Sequence, residues 1–209
     1  MASADFPAHF FDRLDGSDDA DFYQVARLVT HIDDDTIAAL TAVYREMLPA
    51  HSAVLDLMSS WVSHLPPEAR FRRVAGLGMN ADELRRNPRL TEFVVHDLNA
   101  NPDLPYGDAS FDAIVNAVSV QYLTRPVEVF ASMRRVVKPG GVALVAISHR
   151  MFPTKAVLGW QALDTADRAR LVRHYFELAG GWEPPQVLDR SPAYADPLWV
   201  IFAQRPSEC

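Results

Sequence analysis

From residue 52 to residue 204, short apolar runs alternate with stretches whose apolar spacing is helical. That alternation leaves few solutions. Strand, helix and strand in succession build a parallel sheet with helices packed on its faces. A parallel strand is covered on both sides, so it reads as an unbroken apolar run rather than an alternating one. Residues 52–57 (SAVLDL), 73–77, 92–96 (EFVVH) and 111–117 (FDAIVNA) are runs of this kind. A helix is predicted over 126–137, with Pro126 at its start, where the missing N–H costs nothing. Lys138-Pro139-Gly140-Gly141 ends it and leads into 142–147, the strongest strand signal in the chain. A further helix over 165–179 stops at Gly180-Gly181, and two last strands are predicted near 186–189 and 198–204.

Ahead of this alternation, residues 21–48 have helical spacing. Val25, Leu28, Val29 and Ile32 fall on one face of a first helix. After Asp33-Asp34-Asp35, placed to cap a second helix, come Ile37, Leu40, Val43, Tyr44 and Met47, and Pro49 stops the run. Residues 1–20 are polar and acidic and are expected to be loosely held. Residues 1–50 thus read as a helical N-terminal cap ahead of a single domain over 51–209, with no interdomain linker.

Charge and composition narrow the function. The formal net charge is -7, from 27 acidic and 20 basic side chains, which argues against a nucleic-acid surface and for a small-molecule substrate. The start lacks the basic-then-apolar order of a signal peptide, and no apolar stretch is long enough to cross a bilayer. The single cysteine, Cys209, gives no intramolecular disulfide and reads as a free thiol. Cytoplasm is the expected compartment, with a monomer or homodimer as the assembly. His51, His64 and His96 are scattered singly, so no metal is expected.

Three stretches carry a resemblance. Asp97-Leu98-Asn99 is followed by Leu104-Pro105-Tyr106-Gly107-Asp108-Ala109-Ser110-Phe111-Asp112. Asn116-Ala117-Val118-Ser119-Val120-Gln121-Tyr122-Leu123 comes next, and then Val136-Val137-Lys138-Pro139-Gly140-Gly141. In this order and spacing they resemble the class I, Rossmann-like, S-adenosylmethionine-dependent methyltransferase family, most closely over residues 50–150. The resemblance implies an α/β fold: a doubly wound, mostly parallel seven-stranded sheet, its last strand antiparallel, with an N-terminal helical lid. It also implies S-adenosylmethionine as cofactor and methyl transfer to a small molecule. In such a sheet ligands bind beyond the carboxyl ends of the strands, where strand order reverses.

The resemblance assigns residues to the cofactor, with two departures. Asp56 stands where the family has its first acid, but Met58, Ser60 and Val62 hold positions usually given to glycine, so side chains reshape the methionine end. Ser59 and Ser60 offer hydroxyls there, and Trp61 a wall. After the second strand, Gly78 takes the place of the acid that holds the ribose. Met79 suits an adenine face or the core, and Asn80 suits the ligand or the N-cap of a helix over 82–86. Asp97 and Leu98 stand where the family binds adenine, although Asp97 also reads as a turn cap. Asn116, Ala117 and Gln121 follow the fourth strand.

For catalysis the candidates are His149, His31 and Tyr122, and for the substrate Tyr23, Arg27 and Arg150. His149 serves as a general base, or lies with Arg150 in a solvated loop ahead of a helix start at Pro153. His31 closes over the site or caps a helix. The altered glycines leave open a second reading, a methyltransferase-fold protein that cyclises, isomerises or simply binds a ligand. A nicotinamide-dependent reductase fits poorly, since its pyrophosphate needs those glycines.

Overall fold

The computed structural model describes residues 6–207; Cys209 and residues 1–5 lie outside the described residues. Seven strands form one sheet: β1 (Ala53–Leu57), β2 (Arg73–Gly78), β3 (Glu92–Val95), β4 (Phe111–Ala117), β5 (Val137–Ile147), β6 (Gln186–Asp189) and β7 (Trp199–Gln204). Their order is β3-β2-β1-β4-β5-β7-β6. Pairings from β3 to β5 are parallel, and β7 runs antiparallel to both its neighbours. Strand order therefore reverses between β1 and β4, as the alternation requires.

The helices are α1 (Asp19–Phe22), α2 (Asp34–Met47), α3 (Ala81–Arg86), α4 (Pro126–Val136), α5 (Leu158–Gln161) and α6 (Thr165–Ala179). Two apolar layers sandwich the sheet. On one face Leu55, Leu57, Leu77, Val145 and Ile147 meet Phe130 and Met133 of α4 and Val172 and Phe176 of α6. On the other, Val54, Val74, Val115 and Leu144 meet Leu40, Val43 and Tyr44 of α2. Each of those α2 side chains is almost fully buried and contributes ~1.5–3 kcal/mol. α2 is thus part of the sheet's own core, although it falls within the stretch expected to form a lid.

The N-terminal region departs from expectation in two further ways. The predicted first helix exists only as the single turn of α1, and residues 23–33 run as an irregular strap. Val25, Leu28 and Val29 share helical spacing yet are exposed, and of that predicted face Ile32 alone is buried, too little to support a helix. Conversely, residues 6–20 are firmly docked rather than loose. Phe6, Phe10 and Phe11 pack on the core beside Tyr175. Fully buried Lys155 meets Asp19 at 3.2 Å and Asp15 at 3.3 Å, while Arg13 grips Asp19 at 2.7 Å. At the other end of the domain, β5 begins immediately after α4. Lys138-Pro139-Gly140-Gly141 forms a bulge inside it, where pairing jumps from Phe111↔Val137 to Ala113↔Val142. Among the described residues, no helix is long and apolar enough to cross a membrane.

Candidate active site

A crevice opens at the carboxyl ends of β1, β2 and β4, under the strap. Its floor is set by the turn that follows β1. Asp56 is fully buried there, and its Oδ2 accepts from the hydroxyls of Ser59 and Ser63, both at 2.6 Å. Asn87 backs this network by donating to Ser63 Oγ at 2.8 Å. Burial pushes the Asp56 carboxyl up to about 6 against the pull of the two serine hydroxyls. Met58 turns with φ 58°, the left-handed region that a glycine enters without cost. Residues 58–72 then run as irregular chain to β2, where a crossover helix would ordinarily sit.

The second departure from the family pattern has a steric cause. Ser59 N–H donates to Leu77 O at 2.7 Å, which draws the β1 turn across the end of β2. A Cβ on Gly78 would lie 2.2 Å from the Ser59 carbonyl oxygen. No acid fits at that position while the turn keeps its course. At the end of β4, Val118 adopts φ 50°, a costly conformation for a β-branched residue. Strained residues thus flank both strands of the reversal point.

Of the expected cofactor residues, Asp56, Met58, Ser59, Ser60, Met79, Asn80, Leu98 and Ala117 line the crevice, as do Tyr23, Arg27, His31 and Tyr122 from the other assignments. Others are placed elsewhere. Asp97 caps its own turn, with Oδ1 accepting from the N–H groups of Asn99 and Ala100, and does not line the crevice. Asn116 is buried and ties β4 to β1 through Leu57 O at 3.0 Å. Gln121 donates to the carbonyls of Val118 and Arg150 and is 1% exposed. His149 and Arg150 turn away to Asp196, at 3.3 Å and 3.0 Å. Asp196 in turn accepts from Asp33 N–H and gives its own N–H to Asp33, so this cluster ties residues 190–198 to the start of α2. No helix begins at Pro153; residues 152–156 form a turn before α5.

Asn80 meets both of its expected descriptions. Its Oδ1 accepts from Asp82 and Glu83 N–H as the cap of α3, and its Nδ2 donates to Tyr23 O at 2.8 Å and Gln24 O at 3.1 Å on the strap. Further side chains fasten the strap: Trp61 Nε1 donates to Val29 O at 3.0 Å, and Glu83 Oε1 accepts from Arg27 N–H at 2.6 Å. An aromatic cluster closes one end. Phe152 stacks on Tyr122 with centroids 5.9 Å apart and meets His31 edge-on at 5.3 Å. The Arg27 guanidinium lies 4.3 Å from the Phe22 ring centre and 5.5 Å from that of Phe152. Desolvation holds His31 below its ordinary value and raises the phenols of Tyr23 and Tyr122.

The lining also includes residues that the sequence did not assign to the site, among them Glu83, His64, Asn99 and Phe152. His64 is strained at φ 50°, and desolvation pushes its imidazole down to about 4. Among the described residues its buried Nδ1 finds no partner. The one sequence signal for Glu83 was an acid in the first turn of the helix after β2.

Residues 59–145 match the family model described as a methyltransferase domain. A stretch of 77 residues is 39% identical to the demethylmenaquinone methyltransferase of Renibacterium salmoninarum, covering 36% of this chain and 31% of that protein. The chain thus spans about a third of the curated relative it matches. Among solved structures, it is similar to an S-adenosylmethionine-dependent methyltransferase from Mesorhizobium loti, at 16% identity and TM-score 0.56, over 80% of this chain and 98% of that one. The 4+2 cyclase SpnF is also similar, at 15% identity and TM-score 0.60, over 81% of each chain. So is Haemonchus contortus phosphoethanolamine N-methyltransferase 2 in complex with S-adenosyl-L-methionine, at 12% identity and TM-score 0.58, over 83% and 53%. At these identities the likeness concerns the fold.

Proposed function

We propose that this chain, whose residues 59–145 match a methyltransferase-domain model and whose fold is that of class I, Rossmann-like methyltransferases, transfers a methyl group from S-adenosylmethionine to a small molecule. The observation that carries this reading is the crevice at the β1/β4 reversal, built largely from the family-matching segment. The residues present fit the cofactor. The Asp56 carboxylate opposes a cationic ligand, Met79 and Leu98 offer flat apolar contact, and the unpartnered His64 Nδ1 awaits a polar group. With the strap in place the crevice holds about 120 Å³. Ligand pockets start at roughly 300 Å³, so the strap withdraws to admit a nucleoside and returns to exclude water.

S-adenosylmethionine supplies a methyl group on a sulfonium, an electrophile that needs no metal. The chain's own tasks are to orient the acceptor and manage its proton. Tyr23, Arg27, His31, Tyr122 and Phe152 surround the acceptor's place. Tyr122 Oη accepts from Phe152 N–H at 2.8 Å, and its raised phenol keeps the proton, leaving it a donor toward the crevice. His31, held neutral by desolvation, takes a proton from an acceptor that arrives protonated. Arg27 brings positive charge for an anionic acceptor. His149, bonded to Asp196, drops out as the base.

The second reading, a fold that no longer methylates, rests on a specific observation. Asp56, Asn80, Glu83 and Asn99 are all already bonded within the chain. Calorimetric titration with S-adenosylmethionine and S-adenosylhomocysteine separates the two. Methyl transfer calls for one saturable site of micromolar affinity for each ligand. Absence of heat and of thermal stabilisation at millimolar ligand leaves the second reading.

A further inference from the structure

The ribose-binding acid expected after β2 is missing, and Gly78 has no room for it. The structure assigns its task to Glu83, five positions further along the chain. This inference rests on the cofactor reading above. Glu83 projects from the first turn of α3, is only 8% exposed and lines the crevice. Its carboxylate spans two elements: Oε2 accepts from Ser60 Oγ at 2.7 Å on the β1 turn, and Oε1 accepts from Arg27 N–H at 2.6 Å on the strap. Its charge also reaches His31.

A buried carboxylate is retained at a cost unless its acceptor sites are filled. An ionised carboxylate offers about four of them, and Ser60 and Arg27 fill two. The remainder, with the one released when the strap withdraws, suits two neighbouring O–H donors. A ribose diol presents such a pair. Asn80 supports the assignment from the same side. Its Nδ2, now on strap carbonyls, becomes a donor to the ribose oxygens once the strap lifts. In the closed form, the backbone N–H of Arg27 occupies an acceptor that a hydroxyl takes in the liganded form.

The test compares S-adenosylhomocysteine with its 2′-deoxyribose analogue by calorimetry, on the full chain and on Glu83→Gln. A hydrogen bond to a charged acceptor is worth enough to favour the ribose form by on the order of 10- to 100-fold. Glu83→Gln is expected to bring that preference within about threefold. Trp61→Phe loosens the strap without touching the carboxylate, and it is expected to keep the preference whole. If Glu83 only fastens the strap, Glu83→Gln weakens both ligands equally and the preference survives, which overturns the assignment. A wild-type chain that binds both ligands alike also overturns it, and leaves the cofactor reading standing. No binding of S-adenosylhomocysteine at all removes both.

Discussion

Replacing Asp56 by Asn is expected to stabilise the protein, and only on one side of a pH window. The native carboxyl has risen from an ordinary 3.8 to about 6 because its surroundings strip away water. A group raised in the folded state holds its proton more tightly there than in the unfolded chain. Its contribution is therefore fully present below about 3.8 and is lost as pH rises through about 6. Over about two pH units, at 1.4 kcal/mol each, the loss reaches ~3 kcal/mol at pH 8. Asn keeps the size and the acceptor oxygen that Ser59 and Ser63 address, without the charge. Urea unfolding at pH 4 and pH 8 measures the difference. With a slope of roughly 2 kcal/mol per molar, the Asp56→Asn midpoint rises by about 1.5 M at pH 8. At pH 4 the midpoint of the variant stays close to wild type. An equal gain at both pH values, or no gain at pH 8, refutes the claim that desolvation of the carboxylate is what the fold tolerates here.

The same carboxylate gives ligand binding a pH dependence: affinity for S-adenosylmethionine, a cation, is expected to rise as pH increases through about 6 and then level off. A flat calorimetric profile, or a rise that persists in Asp56→Asn, contradicts this. Gly78→Ala forces a Cβ against the Ser59 carbonyl and is expected to lose ~1–3 kcal/mol in denaturant unfolding; a neutral result means the β1 turn is free to move. Lys155→Ala strips a fully buried cation from Asp15 and Asp19 and is expected to cost ~3–5 kcal/mol. In a thermal melt that is a fall of roughly 10 °C, and a change under 2 °C (about 1 kcal/mol) shows that Arg13 alone secures the N-terminal segment. Leu28→Ser on the exposed strap is expected to shift stability by less than about 0.5 kcal/mol by the same melt.

The inner strands were readable because burial on both faces writes itself locally, as continuous apolar runs. The fold followed from their alternation with α4 and α6. The strap was not readable, because what fixes it is far away in sequence. Asn80, Glu83 and Trp61 take its backbone groups from 57, 56 and 32 residues away, and the helical spacing of Val25, Leu28 and Val29 points at no core. His149 and Arg150 follow the fifth strand as a crevice residue would, but Asp196, 46 residues beyond Arg150, draws them outward. Asp97 obeyed the local rule, capping its own turn, over the family's pattern. Glu83 was hidden inside an ordinary helix start. Its importance shows only when Gly78 is seen to be blocked by a backbone oxygen from the preceding loop.

The central claim is that the ends of β1, β2 and β4 form a nucleoside site beneath a strap. Backbone amide shifts of the labelled protein, recorded by NMR during titration with S-adenosylhomocysteine, test it directly. The account predicts saturable changes at Met58–Ser60, Met79–Glu83, Leu98 and Val118, together with the strap residues around Arg27. Shifts confined to the shallow hollow beside Phe6 and His174, or none at all, would contradict it.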